Sequence, residues 1–122
     1  MKQHKSNIVK AKDEVIGVVV KNAAKEKLGK ICELMLDKFS GRTIYAVLES
    51  DGFLGMGEKL FALPWNAFHY DAEEECFILN IEKEKLKNAP GFDKDHWPDT
   101  ADSTWLETIS EYYGEKSFTE SE

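Results

Sequence analysis

Short apolar segments separated by turn-forming residues recur along residues 15–81, and this spacing constrains the fold more than any other feature of the chain. Several segments alternate apolar and polar residues with a period of two, which is typical of strands. The predicted strands cover residues 15–20, 30–37, 43–49, 59–63, 69–71 and 76–81. Because no long helical pattern separates them, they predict an all-β protein, a small antiparallel barrel or sandwich of five to six short strands.

The second predicted strand, residues 30–37, shows this alternation most clearly. Side chains of successive strand residues point to opposite faces of a sheet. An uninterrupted strand places Cys32, Leu34 and Leu36 on one face and Ile31, Glu33 and Met35 on the other. We expect it to pair with the third strand as an antiparallel hairpin, through a tight turn at residues 37–42.

Residues 52–65 combine a glycine-rich loop, a short strand and a Pro-Trp pair. The glycines superficially resemble a nucleotide-binding loop, but such a loop leads from a strand into a helix, and here a strand follows. The segment instead predicts a connection between two barrel strands. Phe53, Leu54 and Met56 are too apolar for an ordinary solvated loop, so we predict these residues as part of a protein interface.

An amphipathic helix is predicted after the strands, with N-cap residues at positions 102–104 and Gly114 as its end. Its apolar stripe consists of Trp105, Leu106, Ile109, Tyr112 and Tyr113. An isolated helix of this length is marginal in water, so the stripe must pack either on the barrel or on a second subunit. Trp105, Ile109 and Tyr112 are therefore further candidate interface residues.

These patterns divide the chain into a flexible basic arm at 1–12, a barrel domain at 13–98, an extension with the amphipathic helix at 99–114, and a disordered tail at 115–122. The formal net charge of the chain is −7. Residues 1–12 hold four lysines and no acid, so residues 13–122 alone have a formal net charge of −11. Such an acidic body repels a phosphate backbone, and DNA is not an expected partner.

The basic arm leaves open the alternative that the protein is an RNA- or ribosome-associated factor. Binding to rRNA that is lost when residues 1–12 are deleted would support this alternative. A small-ligand or lipid-surface binder is a third alternative. The sequence has no apolar run long enough to span a membrane and no apolar core of a secretory signal, so we expect a cytoplasmic protein without a transmembrane segment.

The residue types that bind metals or perform catalysis form no recognisable pattern. The imidazole and thiol donors His4, His69, His96, Cys32 and Cys76 lack the spacing of a metal site, and both cysteines are predicted as buried thiols. Residues 93–104 begin like a calcium loop but have proline where the loop needs glycine. No nucleophile is placed beside a histidine base. We predict no catalytic, cofactor-binding or metal-binding residues, and a protein that is not an enzyme.

Four sequence elements together resemble a known family. They are Leu28-Gly29-Lys30-Ile31, residues 41–47, residues 52–65 with Gly-Glu-Lys-Leu and Pro-Trp, and residues 86–98 with Ala-Pro-Gly-Phe. In this order they are similar to the PRC-barrel domain over roughly residues 13–98. The resemblance implies an antiparallel β-barrel like that of stand-alone bacterial members and of the cytoplasmic domain of the photosynthetic reaction-centre H subunit.

The resemblance also implies a non-enzymatic protein-interaction or adaptor module that often self-associates and has no catalytic residue set. The H subunit has a transmembrane helix before its barrel, and a ribosome maturation factor of the same family has a whole preceding domain; neither is found in these 122 residues, so neither specific role is expected. We expect a homodimer that acts through contacts with a protein partner, without a cofactor.

Overall fold

The computed structural model of the chain describes residues 7–50, 59–98 and 103–113. Six strands make up most of the regular structure, as the sequence predicts. They are β1 (Val19–Lys21), β2 (Lys27–Leu36), β3 (Thr43–Glu49), β4 (Leu60–Pro64), β5 (Phe68–Asp71) and β6 (Cys76–Leu79). The strands form one sheet in the order β4-β3-β2-β1-β6-β5, which curls into a half-barrel.

Among the described residues, three helices lie outside the sheet. They are α1 (Ala11–Glu14), α2 (Lys83–Lys87) and α3 (Ser103–Tyr113), and a 3-10 turn (Trp65–Ala67) joins β4 to β5. The predicted amphipathic helix is therefore present as α3. Pro64, which cannot donate a backbone hydrogen bond, ends β4.

The sheet is not wholly antiparallel, because β1 and β6 run parallel with Val20 opposite Phe77. The other strand pairs are antiparallel, as predicted. β6 enters the sheet as the second strand of the β5–β6 hairpin, far along the chain from β1. No tight turn joins β1 to β6, so the direction of their pairing is free to differ from that of a hairpin.

The first predicted strand, residues 15–20, is wrong over its first half, since residues 15–17 form a turn directly after α1. Gly17 has a φ of 88°, which interrupts an extended segment. Its N–H donates to the carbonyl oxygen of Ile31 at 2.6 Å, and the N–H of Ile31 donates to Val18 at 3.0 Å. The apolar residues before Gly17 thus fold over the sheet, and Val15 is buried there.

The predicted faces of β2 are also wrong beyond Cys32, because the strand contains a bulge. Ile31 lies opposite Leu48 and Glu33 lies opposite Val47, which leaves Cys32 as an extra residue without its own partner on β3. The bulge reverses the alternation. Ile31 and Leu34 therefore pack on the same core, although uninterrupted pairing would place them on opposite faces.

The apolar side chains form two clusters on opposite sides of the sheet. The larger one fills the concave face with residues from β1, β2, β3, β4, β5, β6 and α2, among them Val20, Leu28, Ile31, Leu48, Phe61, Leu63 and Leu86, all fully buried. The smaller cluster comprises Tyr45, Ala62 and Ile109, and it joins α3 to the other face of β3 and β4. These two strands are therefore buried on both faces.

Two glycines allow backbones to approach closely. Gly29 in β2 has a φ of 151°, and a Cβ at this position would overlap the carbonyl oxygen of Glu49. A Cβ at Gly91 would lie 2.9 Å from the carbonyl oxygen of Leu60. This second approach lets Phe92 exchange two backbone hydrogen bonds of 2.9 Å with Leu60, so the residues after Pro90 cover part of the β4 edge.

Replacing Gly29 with alanine is expected to lower the free energy of unfolding by at least about 2 kcal/mol, because the new methyl group meets backbone that cannot move aside. The matched control is Gly17→Ala, which has a similarly unfavourable φ of 88° but open space around its Cβ position. Urea unfolding followed by circular dichroism measures both. Equal losses at the two positions would show that the close approach to Glu49 is unimportant.

Replacing Ile109 with alanine tests whether α3 is a fixed part of the fold. Its side chain is 1% exposed, and truncating a buried aliphatic residue of this size typically costs about 2–5 kcal/mol of unfolding free energy. The control Glu107→Ala, on the exposed side of the same helix, should change stability by less than about 0.5 kcal/mol. If urea unfolding shows no difference between these variants, α3 does not contribute to the stability of the sheet.

Candidate functional site

Helix α3 packs on the sheet of its own chain, and this contact determines what its apolar stripe can offer to a partner. Ile109 is buried against Tyr45 and Ala62. Trp105 is half-buried, and its ring lies 5.6 Å from that of Tyr45 at an interplanar angle of 57°. Of the predicted interface residues on α3, Ile109 therefore has no free surface in the chain, whereas Trp105 keeps part of its ring exposed.

The C-terminal end of α3 is fastened to α2. The hydroxyl of Tyr112 donates to the carbonyl oxygen of Lys85 at 2.5 Å, and the Lys85 ammonium lies 5.6 Å from the centre of the Tyr112 ring. Tyr112 is half-buried, so it too retains exposed surface. The neighbouring Tyr113 packs against both apolar clusters, and burial raises the pKa of its hydroxyl well above the ordinary range.

The other predicted interface residues, Phe53, Leu54 and Met56, lie outside the residues that the structure describes. The two ends of their loop are described. The N–H of Ser50 donates to the carbonyl oxygen of Lys59 at 3.0 Å, and the N–H of Lys59 donates to the Ser50 hydroxyl at 3.2 Å. Ser50 is fully buried. Strands β3 and β4 are thus hydrogen-bonded up to the base of this loop.

Neither cysteine has the features of a reactive thiol. Cys32 is half-buried at the β2 bulge, and Cys76 is buried; both are free. Desolvation, followed by the nearby carboxylates of Glu49 and Glu33, raises the pKa of Cys32 to about 11. Desolvation also raises the pKa of Cys76. Thiols in such surroundings stay protonated at neutral pH and are weak nucleophiles.

Titratable side chains elsewhere are mostly on the surface. Glu74 in the β5–β6 turn accepts hydrogen bonds from Lys21 and Lys25, both at 3.3 Å, and these bonds lower the pKa of its carboxyl group. His96 lies 3.7 Å from Asp93, and both are exposed. Among residues 7–50, 59–98 and 103–113, no three His, Cys, Asp or Glu side chains are grouped so as to hold a metal ion.

An open groove of about 450 Å³ lies beside the 3-10 turn. It is lined by the apolar or aromatic residues Ala67, Leu79, Ile81 and Tyr113 and by the polar residues Asn66, His69, Asn80, Glu82 and Lys85. Sequence reasoning missed this groove. Its residues come from the 3-10 turn, two strands, the β6–α2 connection and two helices, so no local pattern joins them.

Two large apolar side chains are exposed at or beside the turn between β2 and β3. Phe39 is 92% exposed, and Leu36 is 55% exposed. Basic Lys38 and Arg42 flank Phe39 in the turn and are also exposed. The sequence correctly predicts a tight turn here. Because turn-forming residues usually indicate a solvated loop, the exposed phenylalanine was not predicted as a surface feature. An aromatic residue among Asp, Lys, Ser and Gly was the available signal.

None of the described helices is long and apolar enough to cross a membrane. The family model of the PRC-barrel domain aligns with residues 7–86, which is more than half of the chain and includes all six strands. No curated protein matches the chain. With the six-stranded half-barrel and the family match in agreement, the chain belongs to the PRC-barrel family.

Proposed function

We propose that this chain is a non-enzymatic protein-interaction module that acts in the cytoplasm as a homodimer. The observation that carries the proposal is membership of the PRC-barrel family, whose domains are in general non-catalytic modules. The raised pKa of Cys32 and the exposure of His69 and His96 support the same proposal, since neither favours nucleophilic or acid–base catalysis.

The proposed contact surface combines the loop residues Phe53, Leu54 and Met56 with the exposed parts of Trp105 and Tyr112. Aromatic residues are enriched at protein interfaces because they bury a large apolar area and keep a polar atom for hydrogen bonding. Ile109 contributes indirectly, since its burial against Tyr45 and Ala62 holds α3 and therefore positions Trp105. The alternative of RNA binding draws little support from the described part of the arm, where Lys10 lies 3.5 Å from Asp13.

The dimer is tested by measuring molar mass in solution with a loop variant. Wild-type protein is expected to elute as a dimer in size-exclusion chromatography with light scattering at tens of micromolar, and Phe53→Asp/Met56→Asp is expected to weaken it, because two carboxylates would have to be desolvated at the interface. The control Glu73→Lys changes an exposed residue in the β5–β6 turn.

The same variant serves as the control for identifying a partner by affinity capture from the native cell. A protein retained by the wild type and lost with Phe53→Asp/Met56→Asp supports the proposed surface. The proposed surface would be contradicted if the wild type were monomeric and captured the same proteins as the variant. Circular dichroism of the variant establishes that its fold is retained.

The proposed lack of nucleophilic chemistry predicts an inert thiol at position 32. In the Cys76→Ser variant, alkylation of Cys32 by iodoacetamide at pH 7 should be about a hundredfold slower than that of a cysteine with the reference pKa of 9.0, because a pKa of about 11 leaves far less thiolate. The rate should keep rising with pH until about pH 11. A rate that levels off near pH 8 would reveal an activated thiol and count against the proposal.

A further inference from the structure

The groove beside the 3-10 turn lies next to the end of helix α3. Tyr113 is the last residue of α3 and one of the residues that line the groove. Its neighbour Tyr112 holds this end of the helix on α2, because the Tyr112 hydroxyl donates to the carbonyl oxygen of Lys85 at 2.5 Å. Lys85 lines the groove as well. The 114–122 segment therefore begins beside the groove, directly after Tyr113.

The lining of the groove suits one aromatic ring carried by a polar segment. Its volume of about 450 Å³ is large enough for a phenyl side chain. Leu79 and Ile81 are buried, whereas Ala67 and Tyr113 are half-buried and leave surface that a ring can cover. The tyrosine also allows an aromatic contact. The other lining residues are polar, so they can form hydrogen bonds with the backbone on either side of a bound ring.

The 114–122 segment has this composition and the length to reach the groove. Phe118 is its one large apolar residue, and the residues around it are polar or charged. Gly114 follows the helix directly, and glycine at this position permits the chain to change direction. Phe118 comes five residues after Tyr113, and five extended residues span at most about 17 Å. The ring of Phe118 can therefore return to the groove that Tyr113 lines.

Charge favours this place over the rest of the surface. The 114–122 segment holds three glutamates and one lysine, so its formal net charge is −2. An acidic segment is repelled by the acidic body of the protein as a whole. At the groove, however, it meets the exposed cations of Lys85 and Lys87 on α2. The carboxylate that lines the groove, Glu82, lies opposite in charge to Lys116 of the segment.

We propose that the groove binds the 114–122 segment of its own chain, with the ring of Phe118 packed on Ala67, Ile81 and Tyr113. The contact goes beyond the proposed function, because it requires neither the homodimer nor a partner protein. A connection this short gives the ring an effective concentration in the millimolar range at the groove, so a modest affinity is sufficient. The groove thus gives a binding place to residues that the sequence alone predicts as a disordered tail.

Nuclear Overhauser effects test the contact directly in the full chain. We expect cross-peaks between the ring protons of Phe118 and the methyl groups of Ala67 and Ile81 in the wild type. They should be lost in Asn80→Trp, because Asn80 is an exposed residue that lines the groove and a tryptophan there fills it. A wild type without these cross-peaks would overturn the proposal. Cross-peaks that join only differently labelled copies would also overturn it, since they place the segment of a second copy in the groove.

A synthetic peptide with the sequence of residues 114–122 measures how much of the groove is occupied. It should bind full-length Phe118→Ser about tenfold more tightly than the wild type, whose own ring competes for the groove. The amide signals of Ala67 and His69 report the binding in an NMR titration. The matched control Phe39→Ser makes the same change at a side chain that is 92% exposed, and it should bind the peptide like the wild type. Equal affinities for Phe118→Ser and the wild type would overturn the proposal.

The loop variant Phe53→Asp/Met56→Asp separates this inference from the proposed function, because it should keep the cross-peaks of Phe118. A monomeric wild type that shows these cross-peaks contradicts the homodimer and supports the contact within the chain. A dimer that lacks them supports the homodimer and overturns the contact. Circular dichroism establishes that each variant is folded. If Asn80→Trp is not, the peptide titration with Phe118→Ser decides, since that variant leaves the residues of the groove unchanged.

Discussion

Strands β3 and β4 carry apolar side chains on both faces, and the rest of the structure depends on covering both. The concave face is covered by the main core, in which Leu48, Phe61 and Leu63 are fully buried. The opposite face is covered by α3 through Ile109. If α3 moved away from the sheet, the apolar side chains of Tyr45 and Ala62 would be exposed to water, which is unfavourable. The helix is therefore part of the fold, although it lies outside residues 7–86 matched by the family model.

The sequence predicted those elements whose signal is local. Strand β3 occurs at the predicted residues 43–49, where β-branched and aromatic residues follow a turn. Helix α3 was predicted from capping residues and the spacing of its apolar stripe. The errors concern pairing. The bulge at Cys32 arises because Ile31 and Glu33 lie opposite consecutive residues of β3, and the parallel direction of β6 depends on where the β5–β6 hairpin docks. Neither the bulge nor the parallel pairing can be predicted from the local sequence of the strands involved.

The candidate surfaces show the same division. The apolar stripe of α3 was predicted from the sequence. Only the structure shows that Ile109 is buried within the chain, whereas Trp105 and Tyr112 remain half-exposed. The groove could not be predicted, because Ala67, Ile81 and Tyr113 are brought together by the curl of the sheet. Phe39 could have been noticed, since an aromatic residue in a tight turn has no core to join, but turn composition normally indicates a solvated loop.

The acidic body decides which surfaces can support self-association. Two bodies that each carry −11 repel one another, so their contact needs apolar burial, local positive charge, or both. The turn at residues 37–42 provides both within a few residues, as Phe39 stands between Lys38 and Arg42. The loop residues Phe53, Leu54 and Met56 provide apolar area, with the cation of Lys59 at the loop base. In both places basic residues lie next to exposed or loop apolar residues in the sequence. Local positive charge can reduce the repulsion between two acidic bodies at a contact, although each body stays acidic overall.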